Sequence, residues 1–192
     1  PAKKFSKKKL KPFRCHMADR HPPAALLFLC CINEISMNKI LTSLSVFFAV
    51  VISLQSTAQV ASLRKEHFNL DDEVAISGYD PVAYFKNNAA IKGQSSEAVF
   101  HQGVVYYFSS PENKETFKRN PSRYEPVYGG WCAYAMGTKG TKVDINPETF
   151  KIVNGKLFLF YNKRGNNTLT AWNKDEQNLM ATAYVRWKNI LQ

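Results

Sequence analysis

The chain has 192 residues, 45% of them hydrophobic, and carries 26 Lys and Arg against 15 Asp and Glu, a formal net charge of +11. Nine of the basic and two of the acidic residues lie within residues 1–58, so the remaining 134 residues keep 17 against 13, a surplus of only four. That mild surplus argues against nucleic acid as a partner, and the length suits one domain able to bury its own core.

Residues 1–36 combine a lysine run (Lys3, Lys4, Lys7, Lys8, Lys9, Lys11) with a short apolar stretch and stand ahead of Met37. They read as sequence translated upstream of a start, or as an artificial remnant. A basic arm for nucleic-acid binding or nuclear targeting is the rival reading, and it conflicts with export. Export is what residues 37–58 predict: Lys39 forms a positive start, Ile40 to Leu54 an apolar run, and Ser56-Thr57-Ala58 supplies small residues for cleavage before Gln59. The run is too short for a spanning helix, which needs about 20 apolar residues, so the cleaved product has no membrane span and is periplasmic or extracellular. Cys15, Cys30 and Cys31 leave with this leader. Cys132 remains as the one thiol, with no partner for an internal disulfide.

Residues 59–70 are polar and read as a flexible lead-in, with order beginning near Asp71 and the domain covering 71–192. Glu73 to Ile76 and Pro81 to Phe85 are predicted as short strands around the turn Ser77-Gly78-Tyr79-Asp80. Ala98 to His101 and Val104 to Phe108 flank Gln102-Gly103 and predict a hairpin. Ser110-Pro111 reads as the N-cap and first residue of a helix that buries Phe117 and stops before Pro121, with Tyr124 continuing its apolar side. Trp131 to Met136 predicts a short helix ending at Gly137, with Cys132 near its start. Phe150 to Val153 and Lys156 to Tyr161 surround Asn154-Gly155, the strongest hairpin motif in the chain. From Thr168 onward Leu169, Trp172, Leu179, Met180, Ala183, Tyr184, Trp187 and Leu191 recur mostly at steps of three and four, the pattern of a long amphipathic helix lying over the sheet. The expected architecture is a small α+β domain of short antiparallel hairpins with two or three helices.

Cys132 is the centre of the chemical reading. A free cysteine among aromatics is commonly a small buried hydrophobe. Met136 follows four residues later, on the same face of a helix, and thiolate with thioether suits Cu(I). His101 supplies an imidazole if its hairpin passes nearby, whereas His67 lies in the polar lead-in. With these two histidines alone in residues 59–192, a three-histidine zinc site cannot be built. Asp80, beside Pro81 in a turn, reads as a cap on backbone amides rather than a catalytic acid. Tyr79, Tyr84, Tyr106, Tyr107, Tyr128 and Tyr134 read mainly as core and rim aromatics. No phosphate loop, dinucleotide fingerprint or Gly-x-Ser-x-Gly elbow is present.

Three stretches in order, Gly78-Tyr79-Asp80-Pro81-Val82-Ala83-Tyr84-Phe85, Val105-Tyr106-Tyr107-Phe108-Ser109-Ser110 and Phe117-Lys118-Arg119-Asn120-Pro121-Ser122-Arg123-Tyr124, resemble the YHS domain. With Tyr128-Gly129-Gly130-Trp131-Cys132-Ala133-Tyr134-Ala135 they are similar to exported bacterial YHS-domain proteins. The resemblance implies a small metal-binding module, but the cysteines of its Asp-Pro-Val-Cys and Phe-Cys-Ser motifs are replaced here by Ala83 and Ser109, and a further one by Asn113. The exported branch includes selenoproteins, and the matching reactive residue is Cys132, which implies redox chemistry; without Cys-x-x-Cys, a resolving thiol must come from outside. Three functions therefore stand open. The first is a module binding copper or another soft metal through Cys132, Met136 and His101. The second is a thiol-dependent redox enzyme, and the third a structural domain that binds another exported protein without metal.

Overall fold

The computed structural model describes residues 42–44, 46, 47 and 58–192. The chain divides into two units, residues 1–50 and 51–192. Of the first, residues 42–44, 46 and 47 are helical and exposed; the reading of residues 1–36 and most of that of the leader lie outside the described residues. Among the described residues no helix is long and apolar enough to cross a membrane.

The second unit is an α+β domain. Residues 58–67, expected as a loose lead-in, are helical (α1). Their polar sequence gives no periodic reason for a helix; the reason is tertiary. The Arg64 guanidinium pairs with Glu125, and the His67 carbonyl accepts from Trp131 Nε1 at 2.7 Å. Strands β1 (Leu70–Asp71) and β2 (Val74–Ala75) form a tight antiparallel pair. The predicted second strand is instead a helical turn, α2 (Ala83–Lys86). Asp80 decides this: its carboxylate accepts from the amides of Val82 at 2.8 Å and Ala83 at 3.3 Å, which supplies the acceptors a helix start needs.

Hairpin β3 (Gln94–His101) and β4 (Val104–Phe108) forms as predicted, with His101 opposite Val104. The four-stranded sheet has the order β1-β2-β4-β3, with β2 and β4 parallel. Helix α3 (Pro111–Arg119) begins on Ser110, whose hydroxyl accepts from the Asn113 amide at 3.2 Å, and it buries Phe117 completely. A further turn, α4 (Pro121–Tyr124), places the half-buried Tyr124 edge-on to Phe85.

Helix α5 (Ala133–Lys139) runs past the expected stop at Gly137 and ends at Gly140, which has φ +68°. Gly137 is inside the helix for reasons of approach: a Cβ there would come within 2.8 Å of the Leu179 carbonyl oxygen. The second predicted hairpin, β5 (Asn146–Val153) and β6 (Lys156–Phe160), turns on Asn154 at φ 51° and Gly155 at φ 70°, the left-handed pair such a turn requires. A two-residue ladder, β7 (Asn162–Lys163) and β8 (Asn166–Asn167), leads into α6 (Thr168–Trp172) and then α7 (Glu176–Ile190). The single terminal helix expected is thus broken at residues 173–175. The break lets Trp172 pack tilted against Phe158 and edge-on to Phe160 while Leu179 lies against Gly137 of α5.

Strand β6 separates two cores. Leu157 and Leu159 belong to the cluster that includes Tyr84, Tyr106, Phe108 and Phe117, whereas Phe158 and Phe160 belong to the one with Met136, Trp172 and Ala183. The period of two along a strand sends alternate side chains to opposite faces, and four of its five residues are buried. That is why Lys156-Leu157-Phe158-Leu159-Phe160 reads as a continuous apolar run after its lysine.

Candidate functional site

Cys132 occupies the N-cap position of α5 without capping it through its side chain. The backbone here is fastened from outside, the Cys132 amide donating to the Val143 carbonyl at 2.9 Å. The sulfur has no solvent exposure. It accepts from the Tyr161 amide at 3.3 Å and lies 3.4 Å from Thr168 Oγ1. Thr168 gives its own hydroxyl proton to the Tyr161 carbonyl at 2.9 Å, so the thiol is the donor in the contact between them. A closed circuit results, Tyr161 N–H to sulfur, sulfur to Thr168, Thr168 to the Tyr161 carbonyl. It ties the start of α5 to the start of α6.

Above this circuit lies a pocket of about 350 Å³, lined by Cys132 with Tyr134, Lys139, Tyr161, Asn166 and Thr168 among others. Its walls offer hydroxyls, an amide and an ammonium; its sulfur is that of Cys132. The two residues that contact the sulfur, Tyr161 and Thr168, lie 29 and 36 residues after Cys132. Sequence spacing carried no trace of them.

Met136 does not join this arrangement. It is fully buried in the second core, with Phe158 and Trp172, whereas Cys132 belongs to the first. His101 lies on β3, edge-on to Phe117 with ring centroids 6.0 Å apart, and its charged neighbours are Glu125 and Arg64. Among the described residues, no three or more His, Cys, Asp or Glu side chains are gathered where they could hold a metal ion. Among the described residues, Cys132 supplies the one sulfur that lines the pocket.

Ala83, Ser109 and Asn113 converge on Asp80. Asp80, fully buried, accepts at Oδ1 from the amides of Val82 and Ala83, and at Oδ2 from the Ser109 amide at 2.9 Å, the Ser109 hydroxyl at 2.6 Å and Asn113 Nδ2 at 2.7 Å. Ala83, Ser109 and Asn113 therefore surround one carboxylate. Donors fill its lone pairs from every side, so this centre locks α2, the end of β4 and α3 together. Asp80 caps amides, as its place before Pro81 implied.

A second polar centre fastens α1. Arg64 pairs with Glu125 through both guanidinium nitrogens, and Tyr106 donates to Glu125 at 2.7 Å from β4. Burial works to lower the Arg64 pKa, but the Glu125 carboxylate beside it outweighs this and holds the group above its usual value. Burial pushes the Tyr106 phenol well up, with Glu125 adding to the effect.

His101 borders this centre. Desolvation lowers its pKa from 6.5, Glu125 opposing and Arg64 adding to the shift. Above pH 6.5 the ring is neutral in folded and unfolded chains alike; below it the unfolded chain takes up the proton first, and stability falls until the folded ring also titrates. Denaturant titrations between neutral and mildly acid pH will show this loss, and His101→Gln will flatten it. An unchanged slope in that variant would remove His101 as the cause.

Comparison of the chain with models of known protein families, with curated proteins and with solved structures finds no match to any of them.

Proposed function

We propose that the chain acts as an exported, YHS-like binding module that takes its ligand at the Cys132 pocket, with a soft metal ion, copper(I), as the ligand class. The observation that supports this is the placement of the one thiol of residues 59–192 at the wall of a pocket of about 350 Å³. Thiolate is a preferred Cu(I) donor, and the Tyr161 amide already donates to the sulfur when the thiol gives up its proton. Because Met136 and His101 face other surroundings, the remaining soft donor comes with the ligand, as a small thiol or a side chain of another exported protein.

Titration of the full chain with Cu(I) against a competing chelator tests this. Cys132→Ser is expected to weaken binding by about tenfold or more, while Met136→Leu and His101→Gln leave it unchanged. Equal affinity in the wild type and Cys132→Ser would reject the site.

A redox role for the same thiol is the second reading, favoured by the Tyr161 amide directed at the sulfur. The thiolate would break the O–O bond of a peroxide, giving the Cys132 sulfenic acid and releasing water or an alcohol; one outside thiol would then form a mixed disulfide with loss of water, and a second would release the Cys132 thiol and a disulfide. Peroxide left unconsumed in the presence of such a thiol excludes that activity.

A further inference from the structure

The Cys132 pocket has a charge bias that narrows what enters it. Among the described residues Lys139 is the one charged side chain in its lining, and no Asp or Glu lines it. Lys139 is exposed and has no ion-pair partner among the described residues. The acid that follows Val143 of the lining, Asp144, is already held by Lys163 at 3.2 Å, Asn69 at 3.2 Å and the Ile145 amide at 2.9 Å. A lysine in the last turn of α5 also suits the helix dipole, so Lys139 by itself decides nothing.

The rest of the wall decides. The Thr138 and Thr168 hydroxyls are spent on the carbonyls of Tyr134 at 2.8 Å and Tyr161 at 2.9 Å. The side chains of Thr141 and Asn166 and the phenols of Tyr134 and Tyr161 bond to no protein group among the described residues. Uncommitted donors around one cation suit an organic anion, and about 350 Å³ suits a small molecule. Both readings of Cys132 also call for a sulfur from outside the chain, as a further donor to copper(I) or as the reductant. Cys132 has no solvent exposure, so that sulfur meets it only by entering the pocket. A side chain on the surface of a folded protein is poorly placed to do so.

We infer that the outside sulfur belongs to a small carboxylate-bearing thiol, whose carboxylate is held by Lys139 with Thr141 and Asn166 beside it. The inference rests on the proposed Cys132 site and names the class of molecule taken there. In its disulfide form the same molecule is attacked by the Cys132 thiolate: a bond forms from Cys132 to one sulfur, the S–S bond breaks, and the other half leaves as a thiolate.

Three small disulfides of similar size test this, since they differ chiefly in charge: dithiodiglycolate is anionic, bis(2-hydroxyethyl) disulfide neutral and cystamine cationic. Adduct formation at Cys132 of the reduced full chain is followed by peptide mass spectrometry, each rate being divided by that of a cysteine peptide in solution. Dithiodiglycolate is expected to exceed cystamine by about tenfold, less at high salt. Lys139→Glu, shown folded by thermal melting, should lose this preference. A wild type without the preference, or a preference that survives Lys139→Glu, overturns the inference. So does the lack of an adduct from all three disulfides, because no thiol-sized molecule then reaches the sulfur. The Cu(I) titration is read separately: affinity independent of Cys132 rejects the copper site and leaves the charge preference standing, whereas Cu(I) held through Cys132 without a charge preference rejects the carboxylate-bearing thiol alone.

Discussion

Replacing Asp80 by alanine is expected to destabilise the domain by about 3–5 kcal/mol, a large share of the about 5–15 kcal/mol that holds a domain of ordinary stability folded. The carboxylate serves three amides, one hydroxyl and one side-chain amide, and it is fully buried, so water cannot substitute for it without the packing opening. Each donor left without an acceptor costs about 1–3 kcal/mol, partly offset by local relaxation. Asp80→Asn keeps the shape and one acceptor oxygen but turns a donor toward donors, so its loss should fall below that of alanine. Urea unfolding reads both as a lower midpoint at unchanged slope. A shift below about 1 kcal/mol in Asp80→Ala would show that the centre is not the lock described.

Arg64→Ala is expected to cost about 3–5 kcal/mol, because it leaves the Glu125 carboxylate, 15% exposed, without its cation. The ion pair holds α1 against β4 and the segment after α4, so the loss should appear first as faster amide exchange through residues 58–67. Tyr106→Phe removes one hydrogen bond to the same carboxylate and should cost about 1 kcal/mol. Replacing Arg64 and Glu125 together by Met and Leu removes both charges and should recover most of the stability, since the isolated buried charge is the costly species. Equal destabilisation by the single and double replacements would mean that the Arg64 guanidinium over the Phe68 ring, not its pairing with Glu125, holds the helix.

The two centres differ in how far they could be read beforehand. Asp80 beside Pro81 already implied an amide cap. The side chains that complete its ring, Ser109 and Asn113, lie 29 and 33 residues on, and only the return of β4 and α3 brings them there. The Arg64 centre left no mark in the sequence. A polar stretch without apolar periodicity reads as a loop, and α1 exists through distant contacts such as Trp131 to the His67 carbonyl, 64 residues away. The candidate site divides in the same way. Cys132 was evident as the single thiol of residues 59–192, whereas the pairing with Met136 assumed that four residues on one helix share one environment. Cys132 precedes the helix at its N-cap, and the two side chains enter different cores.

What the amino-acid sequence determined by itself was local. It set both hairpins through Gln102-Gly103 and Asn154-Gly155, the start of α3 through Ser110-Pro111, the α+β character and the apolar face of the terminal helix, because turn dihedrals, caps and periodicity act within a few residues. Tertiary structure decided the rest. The helical form of residues 58–67 and 83–86, the break before α7, the run of α5 past Gly137 and the surroundings of Cys132 all depend on which distant group supplies an acceptor, a charge or room for a backbone. Those partners are set by burial of two cores on opposite faces of β6, and no window of the sequence contains both sides of either.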